Sequence, residues 1–363
     1  MMRPNPSLNR TPAGGLSPAR RSPVSLLRYA AISSRMITRR RLLATFAGAA
    51  AVPLTTLAQQ PSRLARIGTL YPGGSASGSA TRVDVLRAGL RNFGYVEGRN
   101  ITIESRWAEG KYDRLAEVAA DLVRSQVDVI VTSGTPAVRA AKQATSMIPI
   151  VMTVAGDAVA SGLIASLARP GGNITGTTYF DPELHAKRLE LLKETVPRIT
   201  RVGILLNPDN PQSVGTTLQR LRLTAELLKL ELPLFEARSP NQFEGAFSAM
   251  AKQRVDAVEI VDDGMFLSNL RTIANLAATT RLPSTGALEF AEAGGLLGYG
   301  VNFLETWHRA AYFVDRILKG TKPNDLPVEQ ATTFEVVANM KTAKALGLTI
   351  PQPILLRADK VIE

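Results

Sequence analysis

From Arg66 onward the chain alternates short β-branched apolar runs with longer amphipathic segments, and this order constrains the fold more than any other feature. Residues 65–71 read as a strand and 82–93 as a helix. Residues 101–106 alternate as a strand, and 112–124 are helical, with Leu115, Val118, Ala119, Leu122 and Val123 at the 3.6-residue spacing. A strand at 127–132, a helix from Pro136, a strand at 148–153 and a helix at 158–168 continue the series, which a turn at 170–173 and a strand at 174–178 complete. A second series then begins: helix 183–195, strand 202–206, helix 211–230, strand 232–236, helix 242–252, strand 257–261, helix 267–280 and a short strand at 282–285. Such βα alternation calls for parallel sheets covered on both faces. Two consecutive series predict an α/β protein of two similar lobes. The remainder, an apolar glycine-rich run at 294–302, a helix at 304–319 and a strand-helix at 333–346, is too short for a third domain. It is better used to complete the first two, which requires the chain to cross between lobes more than once.

A net charge of +12 and an isoelectric point of about 10.2 suggest nucleic acid as a partner, until the charge is located. Residues 1–58 contain Arg3, Arg10, Arg20, Arg21, Arg28, Arg35, Arg39, Arg40 and Arg41 and no Asp, Glu or Lys, so the rest of the chain holds 34 of the 43 basic residues against all 31 acidic ones. The body is nearly neutral, and no nucleic-acid partner is expected. From Met36 the sequence reads as an export signal: a basic region, an apolar run at 42–52, and the small-residue pattern Thr56-Leu57-Ala58, after which cleavage is expected. The run is too short to span ~30 Å of hydrocarbon, which needs ~20 residues, so no membrane anchor is expected. Thr38-Arg39-Arg40-Arg41-Leu42-Leu43 is also similar to the twin-arginine signature, a general secretory signal with three arginines being the alternative. No cysteine follows to carry a lipid. Residues 1–35, rich in Pro, Ser, Arg and Asn and without apolar periodicity, read as a leader outside the fold. The expected location is the periplasm.

Several chemistries are excluded. With no cysteine there is no disulfide framework, thiolate metal site or thiol nucleophile, and His185 and His308 alone make no multi-histidine site. Gly73-Gly74-Ser75-Ala76-Ser77-Gly78-Ser79 lacks a P-loop lysine and misses the nucleophile elbow by one residue, and Gly298-Tyr299-Gly300 lacks the third glycine of a dinucleotide fingerprint. No cofactor is expected. Asp262-Asp263 could serve a metal or an acid/base pair, or form a solvated loop with one helix cap. Trp107 and Tyr112 as a base-stacking platform lack a basic field around them.

The strand ends are more informative. Thr132-Ser133-Gly134-Thr135-Pro136 predicts an N-cap at Thr135 with proline at the first helical position, which points free backbone N–H groups and a positive dipole end from the carboxyl edge of a strand. Such an end binds a carboxylate, although every α/β protein caps helices in this manner. Val154-Ala155-Gly156-Asp157 follows the next strand with an acid able to pair an ammonium. Asn207-Pro208-Asp209-Asn210-Pro211 and Asp262-Asp263-Gly264 hold the equivalent places in the second series. Ligands of parallel α/β sheets bind at these edges, and a cleft between two lobes can close over them. Tyr71, Trp107, Tyr179 and Tyr299 lie at or near strand ends, where they either wall a ligand or pack.

The segments 93–100 (Phe-Gly-Tyr-Val-Glu-Gly-Arg-Asn), 107–110, 133–137, 161–176 and 342–348 resemble ABC-transporter substrate-binding proteins related to tryptophan-binding TrpX, over about residues 63–363. The resemblance implies a type I periplasmic-binding fold, two Rossmann-like lobes with parallel sheets joined by a three-crossing hinge near 177–180, 298–302 and 333–337. Lobe 1 would take 63–177 with 300–332, and lobe 2 would take 180–298 with 337–363. It also implies a non-enzymatic, monomeric solute-binding protein that serves an ABC permease and its ATPase, with characterised relatives binding aromatic amino acids. Residues 156–157 are Gly-Asp where the family often shows Asp-Pro. On this reading Ser133 and Thr135 hold a ligand carboxylate and Asp157 or Asp262 an ammonium. Asn207 and Glu289 close from the second lobe, with Tyr71 and Tyr179 as walls. The alternatives are a ligand-sensing domain of a receptor or regulator, or an enzyme on the same scaffold.

Overall fold

A computed structural model of the protein describes residues 64–74, 79–179 and 181–363. The leader and export signal expected over 1–58, and residues 75–78 of the glycine-serine loop, lie outside the described residues. The first series comprises β1 (Ala65–Tyr71), α1 (Ser79–Asn92), β2 (Ile101–Trp107), α2 (Leu115–Arg124), β3 (Val129–Ser133), α3 (Thr135–Ala144), β4 (Ile150–Val154) and β5 (Ile174–Thr178). The second comprises α4 (Asp181–Thr195), β6 (Val202–Leu206), α5 (Pro211–Val214), α6 (Thr216–Leu228), β7 (Leu234–Glu236), α7 (Phe243–Lys252), β8 (Ala257–Ile260), α8 (Gly264–Leu267), α9 (Leu270–Thr279), β9 (Ser284–Gly286), α10 (Leu288–Glu292) and β10 (Leu297–Gly300). The chain ends with α11 (Phe303–Leu318), β11 (Glu329–Gln330), β12 (Glu335–Asn339), α12 (Met340–Leu346), α13 (Gln352–Arg357) and β13 (Lys360–Ile362).

These strands form two sheets, in the orders β11-β5-β4-β3-β1-β2 and β13-β12-β10-β9-β8-β6-β7. The lobes built on them are called lobe 1 and lobe 2. Alternation along each buried strand sends neighbours to opposite faces. In lobe 1, Ile130 packs with Leu70, Leu122, Val138 and Met152 on one side, while Val131 packs with Ile67, Leu86, Trp307 and Val314 on the other. The chain leaves the first sheet after β5, returns after β10 so that α11 packs on α1 and β4, and leaves again after β11.

The structure departs from the sequence reading in four places. The expected helix at 158–168 is a single turn: Asp157 Oδ1 accepts the Ala160 N–H at 2.9 Å, the Ser161 N–H bonds Asp157 O at 3.0 Å, and Gly162, at φ +69°, ends the turn in the left-handed region. The helix read over 211–230 breaks at Gly215, and that over 267–280 breaks between α8 and α9. The second sheet is not wholly parallel, because β12 runs antiparallel to β10 with Gly300 opposite Glu335. Its chain enters lobe 2 from the end of the sheet where β10 leaves it, so it must run the other way. The short strands β11 and β13 lacked a legible pattern.

Candidate functional site

The carboxyl ends of both sets of strands face one cavity, the edge at which parallel α/β sheets bind ligands. Lobe 1 lines it with Tyr71, Ser133, Thr135 and Tyr179, and lobe 2 with Asn210, Asp262, Asp263 and Leu267. One end is the start of α3. Here Gly134, not Thr135, is the N-cap: it stands at φ +81°, which turns the chain sharply out of β3, and Thr135 and Pro136 form the first helical positions. Only glycine adopts that backbone without strain, so the capping position moves one residue toward β3. The helix start carries no side-chain cap and faces the cavity with its positive dipole end.

Aromatic side chains form the adjoining wall. Tyr71 stacks on Trp307 at 5.0 Å between ring centroids and 12° between planes, and Trp107 lies behind it at 6.4 Å. Tyr179 and Phe303 pair at 5.7 Å. Burial holds the Tyr71 phenol well above its ordinary range, so it remains an O–H donor. Arg82, at the start of α1, also lines the cavity.

The lobe 2 face is acidic, but its acids are already engaged. Asp262 accepts from both terminal nitrogens of Arg188 at 2.8 and 3.0 Å, and that fully buried arginine also donates through Nε to Tyr299 O at 2.7 Å, which ties the second crossing to the cavity floor. Below it, His185 Nδ1 lies 2.9 Å from Glu259 Oε1, both wholly buried, and desolvation pushes the Glu259 carboxyl up against the pull of His185 and Arg188. Asp263 caps α8 by accepting the Met265 N–H at 2.9 Å, and it also accepts from Asn207, from Asn210 and, across the cleft, from the Tyr112 hydroxyl at 2.7 Å. Burial nevertheless pushes the Asp263 carboxyl upward. The expectation of a solvated Asp262-Asp263 loop is therefore corrected: one acid does cap a helix, but both are buried and bonded. Tyr112, for which a stacking platform was weighed and set aside, packs against the cores of both lobes. Among the described residues no cluster of three or more His, Asp or Glu is arranged to hold a metal ion.

Tyr71, Ser133, Thr135, Tyr179 and Asp262 thus come together at the cavity. Asp157 does not line it, and its carboxylate is turned onto the Ala160 N–H, leaving Gly156 at the wall. Asn207 lies behind the wall, holding Asp263. Glu289 also lies outside the lining. Burial raises its carboxyl to about 7, against its own backbone N–H and the Arg82 guanidinium. Arg82, Phe303, Trp307 and Arg188 were missed: each reads locally as one position of an amphipathic helix, and only the crossings of the chain bring them to the cleft.

Residues 75–362 match the family of ABC transporter substrate binding proteins. The chain belongs to this family. It is 27% identical over 261 residues to the tyrosine-binding protein of Clostridioides difficile (strain R20291), covering 71% of this chain and 74% of that one. The crystal structure of a conserved domain protein from Vibrio cholerae is similar with a TM-score of 0.75 at 28% identity, covering 82% of this chain and 100% of the other. The structure of an ABC domain from Streptococcus pneumonia in complex with L-Trp has a TM-score of 0.74 at 27% identity, covering 82% and 99%. The two-lobed architecture is that of type I periplasmic binding proteins. As an ABC substrate-binding protein, the chain belongs among solute-binding proteins rather than in an enzyme family. Among the described residues no helix is long and apolar enough to cross a membrane.

Proposed function

We propose that this ABC substrate-binding protein captures a small carboxylate-bearing solute between its lobes, outside the cytoplasmic membrane, and delivers it to a membrane permease and its ATPase. The observation that carries this reading is the cavity shared by the two lobes, with the start of α3 at one end and stacked aromatic rings along one wall. A helix start that faces a cavity favours an anion, and flat rings favour a flat apolar body. Ser133 and Thr135 flank the carboxylate, and Tyr71 and Tyr179 wall the rest. The likeness to a tyrosine-binding protein and to an L-Trp complex supports a ligand of this size and shape. The export-like segment at 36–58 supports a periplasmic site of action.

The test is a thermal-shift screen of amino acids, aromatic acids and sugars against the mature protein. A ligand that binds only the folded state stabilises it by about 2.7 kcal/mol at one hundred times its Kd. The capture reading expects a stabilising carboxylate whose shift falls in Thr135→Ala. A panel that contains no stabilising solute removes the capture reading, and a shift that survives Thr135→Ala moves the carboxylate elsewhere.

A further inference from the structure

The hydrogen-bonding capacity left unspent around the cavity is unbalanced. The Trp307 indole N–H belongs to a cavity-lining residue that is 0% exposed, and it has no hydrogen-bond partner among the described residues. An indole nitrogen can only donate, and a buried donor without an acceptor costs about 1–3 kcal/mol. The start of α3 adds a positive dipole end. The lining acceptors are in the opposite state. Each oxygen of Asp262 is taken by Arg188, which also cancels its charge. The two oxygens of Asp263 together receive Tyr112, Met265, Asn207 and Asn210. At the end of β4 the wall is Gly156, and Asp157 faces away. The remaining buried acceptor nearby, Glu289 Oε2, lies outside the lining.

Resting on the capture reading above, we infer that the preferred ligand is an aromatic carboxylic acid without an α-ammonium group, rather than a zwitterionic amino acid. A carboxylate brings acceptors to a cavity that offers donors. An ammonium brings three donors and no acceptor to a wall whose acids are already bonded, Asp262 to a guanidinium that cancels its charge, so it meets no uncompensated anion there.

The probes are 3-(4-hydroxyphenyl)propanoate, its primary amide and tyrosine, which share one ring and chain, titrated calorimetrically into the mature full-length protein. The inference expects the acid to bind at least tenfold tighter than tyrosine, about 1.4 kcal/mol, and at least tenfold tighter than the amide. Tyrosine binding as tightly as the acid, or the amide matching it, overturns the inference while leaving solute capture intact. So does a solute of another class binding when none of the three does. Failure of the whole thermal-shift panel removes the capture reading itself and is thereby distinguishable. As a second readout, Gly156→Asp, which puts a carboxylate at the wall, should shift the preference at least tenfold toward tyrosine. A folded variant that keeps the unaltered protein's ratio also counts against the inference.

Discussion

Lobe 1 meets the cavity with unspent donors and stacked rings, whereas lobe 2 meets it with carboxylates that are already bonded. The contrast follows from the layers beneath. In lobe 1 the wall residues rest on an apolar core, where Tyr71 and Trp307 pack with Ile67, Leu86 and Val131 and find few polar neighbours. In lobe 2 a buried polar layer, His185, Arg188 and Glu259, lies directly under Asp262 and consumes its charge. A surface with unspent donors recognises; a saturated one holds its shape and excludes water. On this view lobe 1 selects the solute and lobe 2 closes over it, with the Tyr112 hydroxyl on Asp263 joining the two.

Four measurements test that contrast. The largest effect is expected from Arg188→Met, which strips the cation from buried Asp262; urea unfolding should show a loss of about 3–5 kcal/mol. A loss below about 1 kcal/mol would mean that water already solvates the acid layer, and lobe 2 would no longer be a rigid lid. Next is Glu289. Its carboxyl is raised from 4.5 to about 7 in the folded protein, so the folded state holds its proton more tightly. The stability that this provides is complete below about pH 4.5 and is lost as the pH rises through about 7. Unfolding free energy measured from pH 5 to 8 should therefore carry a fall of roughly 2 kcal/mol that Glu289→Gln abolishes. A slope unchanged by the substitution would assign it to other groups.

A smaller effect is expected at the closure contact. A Cβ on Gly264 would lie 2.3 Å from Pro72 Cγ on the opposite lobe. Gly264→Ala should act as a wedge, weakening solute binding about tenfold, or 1.4 kcal/mol, while the melting temperature of the ligand-free protein stays the same. Equal affinity in the variant would show that binding does not need the lobes this close. Tyr112→Phe removes one cross-cleft hydrogen bond and should cost about 1 kcal/mol of closure, roughly fivefold in affinity. Small-angle scattering would register the accompanying expansion, and an unaltered profile and Kd would reduce Tyr112 to packing.

Most of the strands and longer helices were legible, because a buried parallel strand is a continuous β-branched run and its covering helix keeps an apolar face. The edges that carry Ser133, Thr135 and Asp262 were also legible, since strand ends precede helix starts in sequence. The cap at Gly134 was misplaced by one residue because a serine- and threonine-rich turn offers several capping side chains, and the backbone angle that decides among them is not written in the pattern. Asp157 reads as an acid at a strand end, but which way it turns depends on whether a helix follows, and Gly162 stops that helix after one turn.

By itself the sequence determined the family, the two α/β series and the carboxyl edges where a ligand would bind, because these depend on local periodicity and on residues adjacent along the chain. Which acids remain available and which aromatics line the cavity follows from the folded arrangement alone. Arg188 is 74 residues from Asp262 in the sequence, and Trp307 reaches Tyr71 only because the chain returns to lobe 1. Whether a charged group is spent or free depends on neighbours that the folded chain supplies, and no local pattern records them.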